Sequence, residues 1–392
     1  MRCPDQPAQP LPRRLARRLL PAVLVLLGLA ACAPQPARPV ASFGAPGFVE
    51  PPRARVGLLL PLTGPQAPLG QAMLNAATLA LFDAGTPGVE FVPRDTGGSP
   101  GIASEAARIA LADGARIIVG PLTAAEATAV SAQARGGRVP VLAFTNDGQL
   151  AGNGTWVLGV TPAQQVRRLV LAARNAGVRR IALAAPEDAF GQRLASALRT
   201  AAPEAGLDPP VIVTYPAGSP RAAAASQVAS QGGEGLGLVI IGESNGARAR
   251  ELASALAAAG LRAPATRFAG SALWAADPSI GTEAALAGAI FPGPDPGARS
   301  GFEGRYQAAF GERPPRLAAT AYDAAIIAAR AASGGPSAPL RLPVGEGVPG
   351  ADGGLRLLPN GEVQRALAIY AVEPGAEPRP VEAAILPGAA GT

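Results

Sequence analysis

The stretch IIVGPLTAAEA at residues 117–127 places a strand, a turn and a helix start next to one another. The β-branched residues predict a strand, Gly120-Pro121 predicts a turn, and the alanines after it favour a helix. Thr123 and Glu126 have the spacing of a capping box, in which each side chain accepts a hydrogen bond from the backbone N–H of the other residue. We therefore predict a strand that runs directly into a helix start, where free backbone N–H groups tolerate an anion.

The same order of strand and helix recurs on both sides of this stretch. Apolar runs of strand length alternate with segments whose apolar residues recur at helical spacing, which predicts parallel sheets covered by helices on both faces. We predict an α/β fold of two doubly wound parallel-sheet lobes, with a ligand cleft between them at the carboxyl ends of the strands. The predicted strands are 55–62, 89–96, 116–121 and 139–146 in the first lobe, and 179–186, 211–215, 236–242, 266–270 and 288–292 in the second.

The last part of the chain contains a hairpin signal and then loses its pattern. Residues 354–372 have apolar runs on either side of Pro359-Asn360-Gly361, which predicts a hairpin with its turn at these three residues. Residues 377–392 show no periodicity, and we expect a flexible tail there.

Composition excludes several classes of function. The chain has 392 residues and a net charge of +6, but residues 1–31 contain five of its arginines and one acid, so the remainder carries 29 arginines against 27 acids. That balance does not predict nucleic-acid binding. The sequence has no His and no Lys, which removes imidazole and lysine chemistry, so we predict a binding protein rather than an enzyme, without a cofactor or metal.

The N-terminal residues are typical of exported proteins. Four arginines within residues 13–18 directly precede the apolar run 19–31, which is shorter than the roughly 20 residues that span a bilayer. Leu29-Ala30-Ala31-Cys32 resembles the lipobox of bacterial lipoproteins, which implies that residues 1–31 are a signal peptide and that Cys32 is lipidated. The alternative is an ordinary secretory signal followed by an incidental Cys. The Pro-rich residues 32–53 predict a tether.

The order of several local strings resembles the type I periplasmic binding proteins, in particular their leucine/isoleucine/valine-binding branch. The strings are LLPLTGPQAPLGQAMLNAATLA, RDTGGSP, DGARIIVGP and PEDAFGQ, within residues 54–376. The resemblance implies three crossings between the lobes, near 158–162, 291–295 and 334–338. Lobe 1 would then contain residues 54–158 and 294–335, and lobe 2 residues 159–293 and 336–376.

The chain also resembles the lipoproteins that activate penicillin-binding proteins, the peptidoglycan synthases. The shared features are the VGPL string with its Ala-rich helix, the helix around Ala321-Tyr322-Asp323-Ala324, and a closing hairpin with a Tyr-containing strand. The extra N-terminal helical-repeat domain of some of these activators is absent from this sequence.

The resemblance to amino-acid receptors also implies positions for a ligand site. There, a Ser, a Thr and backbone N–H groups after strands three and four hold the carboxylate, and an acid of the second lobe holds the ammonium. This chain keeps Thr145 but has Ala124 in place of a serine and Ser271 near the position of the acid, so amino acids are poor candidates as tight ligands. Thr123 and Thr145 have the alternative of structural roles in a cap and a turn. The candidate cleft residues are Thr63, Gly64, Leu122, Thr123, Ala124, Thr145, Asn146, Phe190, Glu243, Ser244 and Ser271.

Two functional hypotheses follow from the sequence. The first choice is a lipid-anchored activator of a peptidoglycan synthase, because the tether and the missing amino-acid anchors favour it. The alternative is the substrate-binding protein of an ABC importer, with a permease complex as partner and a small molecule as ligand. In both hypotheses the protein lies on the periplasmic side of a bacterial membrane. Ala33 after the lipidated Cys would direct it to the outer membrane, and neither hypothesis involves nucleic acid.

Overall fold

The computed structural model describes residues 52–388. The predicted signal peptide, the lipidation site at Cys32 and almost all of the predicted tether lie outside this range, as do residues 389–392.

The first lobe begins with a five-stranded parallel sheet. Its strand order is β2-β1-β3-β4-β5, so the chain starts near one edge and adds strands on both sides of β1. The buried runs match the predicted apolar segments, and a parallel sheet between two helical layers requires such runs. The elements are β1 (Ala54–Leu60), α1 (Ala67–Ala84), β2 (Val89–Asp95), α2 (Pro100–Ala112), β3 (Ile117–Val119), α3 (Ala124–Gly137), β4 (Val141–Ala143) and β5 (Thr155–Val157).

The second lobe repeats this construction with a larger sheet. Its helix α4 starts at a Thr161 cap, whose hydroxyl accepts from Gln164 N at 3.3 Å, while the side-chain amide of Gln164 donates to Val363 O at 2.5 Å. Between β9 and β10 the chain forms three short 3₁₀ turns. The elements are α4 (Pro162–Asn175), β6 (Arg180–Pro186), α5 (Ala189–Glu204), β7 (Val211–Tyr215), α6 (Arg221–Gly232), β8 (Leu236–Ile241), α7 (Gly246–Ala258), β9 (Arg267–Ala269) and β10 (Ile290–Gly293).

The chain then returns to the first lobe. Helices α8 (Pro296–Phe310) and α9 (Ala318–Ala331) join the core of that lobe, where α9 packs along α1. Helices α1 and α9 contain fully buried alanines, such as Ala76 on α1 and Ala325 on α9. Alanine loses no side-chain entropy on burial, so these residues make a close contact at little entropic cost.

The third crossing lies later than predicted. Strands β11 (Gly347–Val348), β12 (Leu355–Leu357) and β13 (Val363–Arg365) form a small antiparallel sheet whose apolar residues belong to the core of the first lobe. The assignment of residues 336–365 to lobe 2 is therefore wrong. The reason is a contact between distant parts of the chain: beside the predicted hairpin turn, Leu358 O accepts from Trp156 Nε1 of β5 at 2.9 Å. The chain crosses only at Ala366.

Beyond Ala366 two strands complete the second sheet. Strand β14 (Leu367–Ala371) pairs antiparallel with β10, and β15 (Arg379–Ile385) pairs antiparallel with β14, giving the order β15-β14-β10-β9-β8-β6-β7. The predicted flexible tail is therefore wrong for residues 379–385. The buried Arg168 holds this last strand in place, because its guanidinium donates to Glu382 at 2.9 Å and to the carbonyl oxygen of Ala383 at 3.2 Å.

The fold class predicted from the sequence is confirmed, with two largely parallel sheets in two lobes. A buried ion pair strengthens the last crossing: Arg365 Nη1 lies 2.7 Å from Asp323 Oδ2, and Arg365 Nε donates to Leu158 O at 2.6 Å. One side chain thereby ties the strand before the third crossing to helix α9 and to the residues of the first crossing.

Candidate ligand-binding cavity

A cavity of about 590 Å³ lies between the two lobes. Its walls come from the loops after β3 and β4, from the start of α5, from the 3₁₀ turn after β9, and from the chain on either side of the second and third crossings. The carboxyl ends of parallel strands meet at this edge of each sheet, so the topology places the loops opposite one another. The lining residues are mainly apolar, which suits an organic solute.

The structure brings six of the predicted site residues to this cavity. They include the loop after β3 and the loop after β4, which the periodic strands located, and the aromatic residue at the start of α5. The six are Leu122, Thr123, Ala124, Thr145, Asn146 and Phe190.

Both threonines of this group also have structural contacts. Thr123 Oγ1 accepts from Glu126 N at 3.3 Å, and the Thr123 N–H donates to Glu126 Oε2 at 2.9 Å, so the predicted capping box is confirmed. Thr145 Oγ1 accepts from Asp147 N at 3.1 Å, which forms the local turn. That bond uses the hydroxyl oxygen of Thr145 as an acceptor, and its hydrogen is left to donate.

Thr63 and Gly64 are not brought to the cavity. Thr63 Oγ1 donates to Asp95 Oδ2 at 2.5 Å, and Asp95 also accepts backbone N–H bonds from Leu62 and Gly97. Burial opposes the charge of Asp95, but these hydrogen bonds lower the pKa of its carboxyl below the ordinary value. The loop after β1 is thus held against the end of β2 and is exposed on its outer side.

Glu243, Ser244 and Ser271 also lie outside the cavity wall. Glu243 is buried, accepts from Tyr215 OH at 2.8 Å and lies 3.0 Å from Arg221 Nε, so it stabilises the interior of the second lobe. Burial and the Glu243 carboxylate raise the pKa of Tyr215 above its ordinary value of 10.0. Ser244 is exposed, and Ser271 caps the 3₁₀ turn at residues 272–276.

Four arginines in the cavity wall were not predicted from the sequence as site residues. They are Arg193 on α5, Arg299 on α8, Arg316 before α9 and Arg365 at the end of β13. No motif marks them, because 34 arginines are spread over the chain. Only the return of the chain to the first lobe after β10 brings the last three beside the loops of β3 and β4.

Two acids line the same cavity, and each is bound to an arginine. Asp147 Oδ2 lies 2.6 Å from Arg193 Nη2, and this bond joins the first lobe to the second. Asp352 Oδ1 lies 3.1 Å from Arg299 Nη1. Burial opposes the charge of Arg299, but its neighbouring carboxylates raise the pKa of its guanidinium. Both acids are therefore held in ion pairs.

Arg316 makes a second contact between the lobes. Its Nη2 donates to the carbonyl oxygen of Ala275 at 2.6 Å. Partial burial and the positive charge of Arg299 lower the pKa of Arg316, although an arginine remains charged at neutral pH. The two lobes thus touch through side chains on both the Asp147 side and the Arg316 side of the cavity.

Metal-binding clusters and membrane-spanning helices are both absent from residues 52–388. No group of three or more Cys, Asp or Glu side chains is arranged to hold a metal ion. None of the helices in this part of the chain has the length and apolar character needed to cross a membrane.

A known protein family matches most of the chain. The sequence profile described as periplasmic binding protein matches residues 53–339. No curated protein matches the sequence.

Solved structures with this fold come from several bacteria. A branched-chain amino acid ABC transporter periplasmic ligand-binding protein from Burkholderia xenovorans is 18% identical, with a TM-score of 0.67, over 86% of this chain and 96% of its own. A leucine-binding protein from Thermotoga maritima is 18% identical, with a TM-score of 0.60, over 85% of this chain and 99% of its own. A solute-binding protein of an ABC transporter from Rhodopseudomonas palustris, in complex with 3,4-dihydroxybenzoic acid, is 17% identical, with a TM-score of 0.60, over 86% and 99%. At these identities the similarity shows the fold.

Proposed function

Because the chain belongs to the periplasmic binding protein family, we propose that it is the solute-binding protein of an ABC importer. In this proposal the two lobes close on a small organic molecule and present it to a permease complex. The observation that carries the proposal is the cavity of about 590 Å³ between the lobes, which residues of both lobes line. A volume of this order is within the usual range for small-molecule sites.

The contacts between the lobes support a closing motion. The Asp147–Arg193 ion pair and the bond from Arg316 to Ala275 O connect side chains that belong to different lobes. Such contacts exist only when the lobes are close together, and a ligand that touches both lobes stabilises that state through its higher affinity for it. The structure therefore has the parts that a receptor with two states needs.

The relatives favour the importer over the activator of a peptidoglycan synthase. The three solved structures described above are a leucine-binding protein and two ligand-binding proteins of ABC transporters. Branched-chain amino acids and aromatic acids are therefore the two ligand classes to test first. The prediction of a peptidoglycan synthase as partner rests on the N-terminal sequence and on the local strings that resemble those of the activators.

The proposal includes no chemical step. The chain has no His and no Lys, and the two acids of the cavity are bound to arginines. The groups that usually transfer protons or attack a substrate are thus absent or occupied. An export signal and a lipid on Cys32 belong to the proposal as well, since an importer receptor works outside the cytoplasm.

The test is ligand-dependent stabilisation of the purified lipoprotein. A metabolite panel of branched-chain amino acids, their amides, and aromatic and aliphatic acids is measured by thermal unfolding. A ligand at 100 times its Kd stabilises the folded state by about 2.7 kcal/mol, which raises the melting temperature. Affinity capture from envelope membranes should then recover permease subunits. If no compound raises the melting temperature and the capture recovers a peptidoglycan synthase instead, the importer proposal is wrong.

A further inference from the structure

We infer that the ligand is an organic anion without an ammonium group, whose carboxylate is bound by Arg316 with help from Arg365. This inference rests on the proposed function, and it names the chemical class of the solute. The carboxylate would thus be bound by arginine side chains of this cavity, rather than by the Ser, Thr and backbone N–H groups of the loops after β3 and β4 that the resemblance to amino-acid receptors implied.

Arg316 is the first reason. It is exposed at the cavity wall, and among residues 52–388 no carboxylate lies within ion-pair distance of it. Within residues 52–388 its guanidinium makes one hydrogen bond, from Nη2 to Ala275 O, which leaves its other donors for a ligand. The neighbouring Arg299 is paired with both Glu303 and Asp352, so of these two arginines Arg316 is the one without an ion-pair partner in the described part of the chain. A ligand carboxylate would be attracted to Arg316 and could bind two of its N–H groups.

Arg365 is the second reason. Its side chain is 4% exposed, and its Nη2 has no hydrogen-bond partner in the described part of the chain, although Nε and Nη1 are bound. A buried donor without a partner costs free energy, so a ligand or a water that accepts from it is favoured. Arg365 lines the cavity and also borders a smaller one of about 140 Å³. An acceptor bound in the larger cavity, such as a ligand carboxylate, would give Nη2 the partner that it lacks.

The acids of the cavity are the third reason, because an amino acid needs one of them for its ammonium. Asp147 accepts from Arg193 and from the backbone N–H of Gln149, so each of its oxygens already has a hydrogen-bond donor and its charge is paired. Asp352 is bound to Arg299. An ammonium placed beside Asp352 would also lie close to the guanidinium groups of Arg299 and Arg316. Repulsion between like charges therefore disfavours a zwitterion and leaves a carboxylate alone as the better match.

The rest of the cavity defines the body of the ligand. Leu122, Phe144, Phe190, Leu273 and Leu317 line it, and Ala124 stands where amino-acid receptors have a serine. Apolar walls of this kind accept an aromatic ring or a branched alkyl chain. The class is thus a small aromatic or branched aliphatic monocarboxylate.

The experiment compares matched ligands on the full lipoprotein by isothermal titration. The probes are benzoate, its neutral counterpart benzamide, leucine, and 4-methylpentanoate, which is leucine's carbon skeleton without the amino group. Each is measured on the natural protein and on two variants, R316Q and R313Q. Arg313 is an exposed arginine of the same segment, it is not part of the cavity wall, and it serves as the control.

We expect benzoate to bind more tightly than benzamide, or 4-methylpentanoate to bind more tightly than leucine. R316Q should lower the affinity for that carboxylate by about 10- to 100-fold, which is the range for a hydrogen bond to a charged group. R313Q should change the affinity by less than about twofold. R316Q also removes the bond to Ala275 O, which would lower the affinity for all ligands by the same factor. The ratio of benzoate affinity to benzamide affinity therefore isolates the role of the charge.

Four results would overturn the inference. Tighter binding of leucine than of 4-methylpentanoate would show that the site takes an ammonium. Equal affinity of benzoate for R316Q and for the natural protein would show that Arg316 does not bind the carboxylate. If an uncharged compound from the metabolite panel binds while both carboxylates do not, the ligand class is wrong and the importer function stands. If neither the probes nor the panel binds, both proposals fall.

Discussion

Removal of the ion pair between Asp147 and Arg193 should shift the protein toward its open state. The pair joins the lobes, with Asp147 at the turn after β4 and Arg193 on α5. R193Q keeps a side chain of similar length and removes the charge. In an open state the two groups are apart, so the substitution removes a contact that only the closed state has.

The size of the effect follows from geometry and exposure. The two atoms are 2.6 Å apart, but the side chains are 36% and 13% exposed, so water and salt screen the attraction. A pair of this kind contributes about 1 kcal/mol, at the upper end of the range for exposed pairs. That free energy corresponds to a change of about fivefold in the ratio of closed to open protein. When the open state predominates without ligand, every ligand should lose about the same factor in affinity.

The assay is a double-mutant cycle on ligand affinity and on the radius of gyration in solution. R193Q, D147N and the combined variant should all bind about fivefold more weakly, because either single change already removes the pair. D147N keeps an oxygen that can accept from the N–H of Gln149, so the local turn remains. R199Q, an exposed position on the same helix, is the control. If the two single losses add in the combined variant, or if molar salt leaves the R193Q effect unchanged, the reasoning is wrong.

Three more predictions concern stability. T123A removes the cap of α3 and should cost about 1 kcal/mol in urea unfolding; an unchanged midpoint would contradict the role of the capping box. G120A should cost about 2 kcal/mol or more, since its φ is +101° and a Cβ would lie 2.2 Å from a backbone oxygen of β1, whereas G136A, with open space around it, should stabilise its helix by about 0.5 kcal/mol. Because folding raises the pKa of Tyr215, its contribution to the free energy of unfolding is complete below pH 10.0 and is lost as the pH rises toward the folded-state pKa. In urea unfolding above pH 10.0, the natural protein should therefore lose more stability than Y215F. At neutral pH, Y215F should cost about 1–3 kcal/mol, because Glu243 loses a buried donor.

The sequence predicted the fold well because the signals were local. Apolar runs such as 55–60 and 236–241 are long enough to define buried parallel strands, and the Thr123 capping box needs only four residues. The loops after β3 and β4 could be placed in the cavity for the same reason, since the topology of a parallel sheet fixes where its strands end.

Long-range pairing explains what the sequence did not predict. Residues 379–385 form a strand only because β14 provides an edge and Arg168 binds Glu382. Arg316 follows two prolines and precedes a helix, a pattern equally typical of a solvent-exposed residue, and only the return of the chain after β10 brings it to the cavity. Such contacts join residues that are far apart in the sequence, so their positions depend on the completed fold.

The single residue between β13 and β14 has a mechanical consequence. Since Arg365 fixes β13 to Asp323 and to Leu158 O, rotation of the second lobe has to be absorbed at Ala366 and in the neighbouring first crossing. If the lobes open as proposed, the third crossing places a pivot beside Arg365, and displacement grows with distance from it, as along a lever. A group bound next to the pivot keeps its neighbours as the lobes separate, while a contact farther along the lever, such as that between Asp147 and Arg193, breaks. Arg365 would thus stay engaged through the whole swing, and the solute would enter and leave on the opposite side.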